Sequence, residues 1–242
     1  MAFSMFCAIP LPFHIWDEAC LNLVLTSFPI VGLFLGIIWW VLAELLSFSG
    51  IPIILTVAIL TVTPFLLTGF LHLDGFMDTS DAVFSRRPIE EKLRILKDPH
   101  LGAFSVIALV ILFILFFAAM YVLVDEKKHF IILIFINIIS RCCASFSLLS
   151  FKTMPQSNYA NMFRQNTKLL HKCFLIFIVL LTAGIAYKLS GLNGLIVIAF
   201  VIFGFFIAIL SSYRELKGVS GDTAGYSLVI SELFGLFSLA II

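Results

Sequence analysis

The sequence predicts an all-α fold, a polytopic transmembrane bundle of about seven spans with its active-site loops on the cytoplasmic face. Three observations predict it. Hydrophobic residues fill 62% of the 242 positions and charged residues only 12%, where a soluble domain devotes about a quarter of its residues to charge. The mean hydropathy is +1.15. Seven apolar stretches, 28–48, 51–73, 103–124, 130–150, 173–190, 193–212 and 226–242, approach the roughly 20 residues a helix needs to cross about 30 Å of hydrocarbon. The chain reads as a single integral membrane domain, 1–242.

Each element has its own warrant. Residues 1–27 contain Pro10, Pro12, Asp17 and Glu18 and are expected to lie along the membrane surface. No Lys or Arg precedes Arg86, so the basic opening of a secretory signal is missing and the chain reads as mature protein. Gly50 and Pro52 separate the first two spans, and the run Ser190-Gly191-Leu192-Asn193-Gly194 separates the fifth and sixth. Glu44, near a span end, is expected to snorkel outward. The seventh span is short and carries Glu232.

Charge gives orientation and excludes one class of partner. A net charge of +1 with no long basic stripe argues against nucleic acid; the lipid bilayer is the expected surrounding, which the 27 Phe residues suit. Eleven Lys and Arg fall in the loops 74–102, 151–172 and 213–225, against Lys127, Lys128 and Lys188 on the other side. The excess places the three large loops in the cytoplasm. The five cysteines lack C-x-x-C spacing and read as small hydrophobes.

The most informative segment is Gly69-Phe70-Leu71-His72-Leu73-Asp74-Gly75-Phe76-Met77-Asp78-Thr79-Ser80-Asp81. If the second span continues through it, Asp74, Asp78 and Asp81 fall at i, i+4 and i+7, on one helical face. Like charges so placed repel, more strongly beside a bilayer. A divalent cation would relieve them, and an all-oxygen set suits Mg²⁺. Such an ion bridges carboxylates to phosphate, so the pattern points to a pyrophosphate-bearing substrate. His72 could serve as ligand or proton carrier, or be a boundary residue satisfied by headgroups or backbone.

Pro88 to Lys97 reads as a short amphipathic helix, with Glu90 and Glu91 early and Lys92, Arg94 and Lys97 late, in the order its dipole favours. Arg86 and Arg87 are candidate phosphate contacts. Lys97 and Asp98 could belong to the site or to a solvated surface. A second acidic element, Gly218-Val219-Ser220-Gly221-Asp222-Thr223-Ala224-Gly225, combines a carboxylate with glycines that let backbone N–H groups approach a phosphate. Glu232 is a site candidate by its intramembrane position, and Arg141 is its candidate partner, in a functional or a structural pair. Gln156, Ser157, Asn158, Tyr159 and Asn161 could hydrogen-bond a nucleotide or sugar, or be ordinary loop residues.

Together these residues resemble a known family. The run Gly69-x-Leu71-His72-x-Asp74-Gly75-x-x-Asp78-x-x-Asp81 is similar to the signature of cobalamin synthase, or adenosylcobinamide-GDP ribazoletransferase. The resemblance continues through Lys97-Asp98-x-x-x-Gly102-Ala103-Phe104, Gly218-x-x-Gly221-Asp222-x-x-Gly225 and Glu232. Ile9-Pro10-Leu11-Pro12 and Phe28-Pro29-Ile30-Val31-Gly32 resemble its N-terminal region. Three positions depart from the pattern: Phe70, Ala82 and Lys217 stand where the family has glycine.

The resemblance implies an enzyme of cobalamin biosynthesis in the bacterial cytoplasmic (inner) membrane. It would join adenosylcobinamide-GDP to α-ribazole, or to its 5′-phosphate, and release GMP with the help of Mg²⁺. A homo-oligomer stays open. Asp74, Asp78 and Asp222 would hold the metal, with Asp81 a further ligand or the general base. His72 and Asp78 would join Asp81 in catalysis. Arg86, Lys97, Asp98, Gly221 and Glu232 would bind substrate. A phosphotransferase acting on CDP-activated lipids is the nearest alternative, but it wants an alanine–arginine pair where Phe76-Met77-Asp78 stands. A transporter would place its acids and glycine breaks in mid-span, whereas most acids here lie toward one face.

Overall fold

A computed structural model describes residues 1–10, 20–154, 157–164 and 167–242. Pro12, Asp17, Glu18 and Gln156 lie outside the described residues. The chain runs through α1 (Ala2–Phe6), α2 (Leu21–Phe48), α3 (Ile53–Leu67), α4 (Leu71–Phe84), α5 (Ile89–Ile95), α6 (Ala103–Asp125), α7 (Ile132–Ser150), α8 (Asn158–Arg164), α9 (Leu169–Leu216) and α10 (Gly221–Ile241). Five of them, α2, α6, α7, α9 and α10, are long and apolar enough to cross a membrane, and α3 with α4, taken as one bent pair, makes a sixth.

The bend corrects one expectation. The second span does not continue through the aspartates: α3 stops at Leu67, and α4 leaves it at 90°. The stop is a Schellman closure, in which Gly69 N–H donates to Leu66 O (3.0 Å) and Phe70 N–H to Phe65 O (2.9 Å). Gly69 and Phe70 are both left-handed, at φ 59° and 63°, a cheap conformation for glycine and a costly one for phenylalanine. Three carboxylates do not belong in hydrocarbon. We therefore read α3 as the membrane-embedded part of the pair and α4 as a helix laid across its end, outside the spanning segments.

Another break lies inside α9. Its 48 residues would make a rod of about 72 Å if straight, more than twice the hydrocarbon thickness. Gly191, at φ 58° and ψ −142°, interrupts it. A Cβ on Gly194 would lie 2.6 Å from Ala186 O, so the chain doubles back and the two arms fall on the separate stretches 173–190 and 193–212.

At the centre stands α7, buried along nearly its whole length and packed between α2, α9 and α10. Its Arg141 is 1% exposed and pairs with Glu232 of α10, 2% exposed. Ser140 Oγ also donates to Glu232 (3.1 Å), and the Arg141 guanidinium lies over the Phe28 ring, 5.9 Å from its centroid. The pair is a bolt between two helices inside the bundle.

The three large loops meet at one end. Lys92 of α5, buried, pairs with Glu215 at the end of α9. An isolated parallel bridge joins Thr153 to Val219, with Val219 N–H donating to Lys152 O (2.9 Å) and Met154 N–H to Val219 O (3.0 Å). At this shared end the acidic residues gather.

Candidate active site

The buried side of α4 is formed by His72, Leu73, Gly75, Phe76, Thr79, Ser80 and Ala82, and the helix packs on α10 and α6. Phe76 stacks on Tyr226 of α10, with centroids 5.6 Å apart and rings 16° from parallel. That packing turns the other side outward: Asp74 is exposed, and Asp78 and Asp81 are half-buried. The i, i+4, i+7 spacing keeps its meaning on the new helix.

Gly75 sets how closely α4 meets α10. A Cβ there would lie 2.9 Å from both Cα and O of Asp222, so no larger residue fits without a shift. Asp222 stands in the first turn of α10, where the helix dipole favours a carboxylate. Ser220 caps that turn: its N–H donates to Thr223 Oγ1 (2.8 Å), its hydroxyl accepts from Thr223 N–H (3.3 Å) and donates to Asp222 Oδ2 (3.2 Å).

Four carboxylates thus share one electrostatic neighbourhood. Partial burial, then the charges of Asp74, Asp222 and Asp81, push the Asp78 carboxyl up to about 6 from its ordinary 3.8. The donor set is all oxygen, as Mg²⁺ prefers, and mutual repulsion of this kind is what a cation would relieve. Among the described residues no three His, Cys, Asp or Glu side chains stand close enough to ligate one ion as they are. The residues fit a cation in chemistry and charge.

Beside the acids opens a chamber of about 390 Å³. Asp74, Gly221 and Asp222 stand among its lining residues, and its walls are chiefly apolar, from α1, α2, α7, α8 and α10. The space where a Cβ of Gly221 would stand has no neighbour within 4 Å. Ala8 N–H donates to Leu67 O (2.8 Å), and Met5 and Phe6 line the chamber.

His72 also lines it. Its Nε2 is buried without a hydrogen-bond partner among the described residues. The sequence did not point to Phe6 and Phe28 as wall residues, since each reads as a lipid-contact phenylalanine.

The remaining candidates lie apart from this chamber. Asp81 rests its carboxylate against Gly102, where a Cβ would collide with it. Arg86 is exposed and lines a different hollow, with Phe84, Phe104 and Ile107. Lys97 is exposed; Asp98 accepts from His100 N–H (3.0 Å) and contacts His100 Nδ1 (2.6 Å), which holds its carboxyl below the usual range. Glu232 is engaged by Arg141 and does not line the chamber.

Comparison with known proteins points the same way as the motifs. The family model described as cobalamin-5-phosphate synthase matches residues 1–240. A Clostridium perfringens protein, adenosylcobinamide-GDP ribazoletransferase, is 42% identical over all of this chain and 96% of its own length. Proteins of the same name from Clostridium botulinum and Pseudomonas fluorescens are 39% and 30% identical, over 98% and 90% of this chain and 94% and 87% of their own lengths. No solved structure matches.

Proposed function

The chain belongs to the cobalamin-5-phosphate synthase family, and from that premise we propose that it joins adenosylcobinamide-GDP to α-ribazole, or to its 5′-phosphate, at the acidic end of α4 and α10. The observation that carries this reading is the contact of Gly75 with Asp222. It brings two motifs some 140 residues apart in sequence together, with Asp74 of one and Asp222 of the other among the residues lining one chamber.

In the reaction a ribose hydroxyl of ribazole attacks the phosphorus that bears cobinamide. The bond from that phosphorus to the bridging oxygen breaks, and GMP leaves with the electron pair. Asp74, Asp78 and Asp222 would hold Mg²⁺. The ion would supply positive charge against the pyrophosphate and the leaving GMP. Asp81, one turn beyond Asp78, would take the hydroxyl proton. Arg86 and Lys97 have no ion-pair partner among the described residues and are free to meet the GDP phosphates. Soluble substrates of this kind require the loops to face the cytoplasm, and the Lys and Arg excess supports that orientation in a bacterial inner membrane.

The test is GMP release by detergent-purified protein given adenosylcobinamide-GDP, α-ribazole phosphate and Mg²⁺, beside Asp74→Asn and an EDTA control. Release that depends on ribazole, metal and Asp74 is expected. Absence of release from folded wild-type protein would overturn the assignment.

A further inference from the structure

The chamber behind Asp74 and Asp222 is larger than metal binding needs, and its chemistry is unlike that of a phosphate site. One wall is aromatic. Phe6 and Phe28 lie 4.2 Å apart between centroids, and the His72 ring is 6.2 Å from Phe6 and 5.6 Å from Phe28. Ala144, Leu148, Phe163 and Leu228 supply further apolar surface. Within this lining His72 Nε2 is buried and lacks a hydrogen-bond partner among the described residues, and a polar atom left so is costly unless a ligand meets it.

Resting on the reaction proposed above, we infer that this chamber binds the aromatic base of the ribazole acceptor. The base lies against Phe6, Phe28 and His72, and His72 Nε2–H donates to its unsubstituted ring nitrogen. Ribazole is a riboside of a dimethylated benzimidazole: a flat apolar bicycle, with one free ring nitrogen, joined to a polar sugar.

That division matches the site. The bicycle enters the apolar part, and the ribose remains at the mouth, where Asp74 and Asp222 stand. A volume of 390 Å³ is at the lower end of the roughly 300–1,000 Å³ typical of small-molecule pockets. It accommodates a bicycle and excludes a corrin ring. Guanine, the other flat base in the reaction, carries polar groups on most of its edge and would leave them unpaired against these walls. A lipid acyl chain would fill the apolar volume but leave His72 without an acceptor.

Two variants test the inference, with binding of free α-ribazole to detergent-purified protein as the readout beside kinetics. Ala144→Leu puts bulk into the chamber, and His72→Phe keeps a ring while removing the donor. Ala144→Leu should weaken ribazole binding and raise its KM by about tenfold or more, with the KM for adenosylcobinamide-GDP changed less than twofold. His72→Phe should weaken α-ribazole by about tenfold, the scale of one buried hydrogen bond. It should leave unchanged the binding of the matching dimethylindole riboside, which lacks the acceptor nitrogen.

Wild-type binding of ribazole carried over intact into both variants would overturn the assignment, as would a KM change shared equally by both substrates or no ribazole binding by the wild type. A protein that binds ribazole with these sensitivities but releases no GMP keeps the chamber assignment and loses the reaction. One that releases GMP indifferently to both substitutions loses the chamber assignment alone. Displacement of a co-purified lipid by Ala144→Leu, without effect on ribazole, assigns the volume to an acyl chain and overturns the proposal.

Discussion

Gly75 lies so close to Asp222 that the Cβ it lacks would sit 2.9 Å from the Asp222 carbonyl oxygen and Cα. Backbone meets backbone there, and the acids of α4 and α10 are held together by the absence of a side chain. Gly75→Ala should push the helices apart at a cost of about 1–3 kcal/mol, as overpacking does. Misplacement of that size in an active site costs about 100-fold in rate, so GMP release should fall far more than the melting temperature in detergent suggests. An active, equally stable Gly75→Ala protein would show that the contact does not govern the site.

Asp78 makes stability depend on pH. Its carboxyl is raised to about 6 from 3.8, so the folded protein holds this proton where the unfolded chain has released it. The contribution is fully present below about pH 4, is lost as pH rises toward 6, and stays lost above that. In EDTA, Asp78→Asn should therefore melt higher than wild type above pH 6 and show no such advantage at pH 4. Added Mg²⁺ should raise the wild-type melting temperature more than the variant's. Melting curves across pH 4–8 with and without Mg²⁺ check both signs.

The bolt between α7 and α10 should behave as a buried pair does. Removing one partner by Arg141→Met or Glu232→Leu leaves an uncompensated charge and costs about 3–5 kcal/mol. Removing both should cost much less. A double-mutant cycle on detergent melting temperature measures the difference, and additive single effects would contradict the pairing.

Lys217 ends α9 in the left-handed region at φ 57°, with its side chain exposed. Lys217→Gly removes the Cβ penalty of that conformation and should stabilise the protein by about 1 kcal/mol. A lowered melting temperature would mean that the lysine contributes more than its backbone costs.

The sequence carried the acidic cluster more plainly than the chamber. Asp74, Asp78 and Asp81 were legible because helical spacing survives the bend, although the helix holding them is α4 and not a prolonged second span. Gly69 marked the stop, but the second left-handed residue is Phe70, which hid the corner. Phe70 and Lys217 are both positions where the resembled family has glycine, and both have positive φ; at these two of the three departures the backbone demand persists without the residue that suits it. The Arg141–Glu232 pairing was expected from two isolated charges in apolar helices. The chamber was not legible, because Phe6, Phe28 and Leu228 come from distant parts of a chain in which phenylalanine and leucine are everywhere. No periodicity distinguishes a wall facing a ligand from one facing lipid.

The chamber closes between Phe6, near the start of the chain, and Leu228 in α10, which gives its assembly an order in time. Helices enter the bilayer as the ribosome delivers them, and contacts across more than two hundred residues must wait for the later partner. Until α10 arrives, the carboxylates of α4 have neither Asp222 beside them nor a floor beneath the chamber. The chamber cannot form before α10 is in place, and removing that helix should abolish it whole, not by degrees.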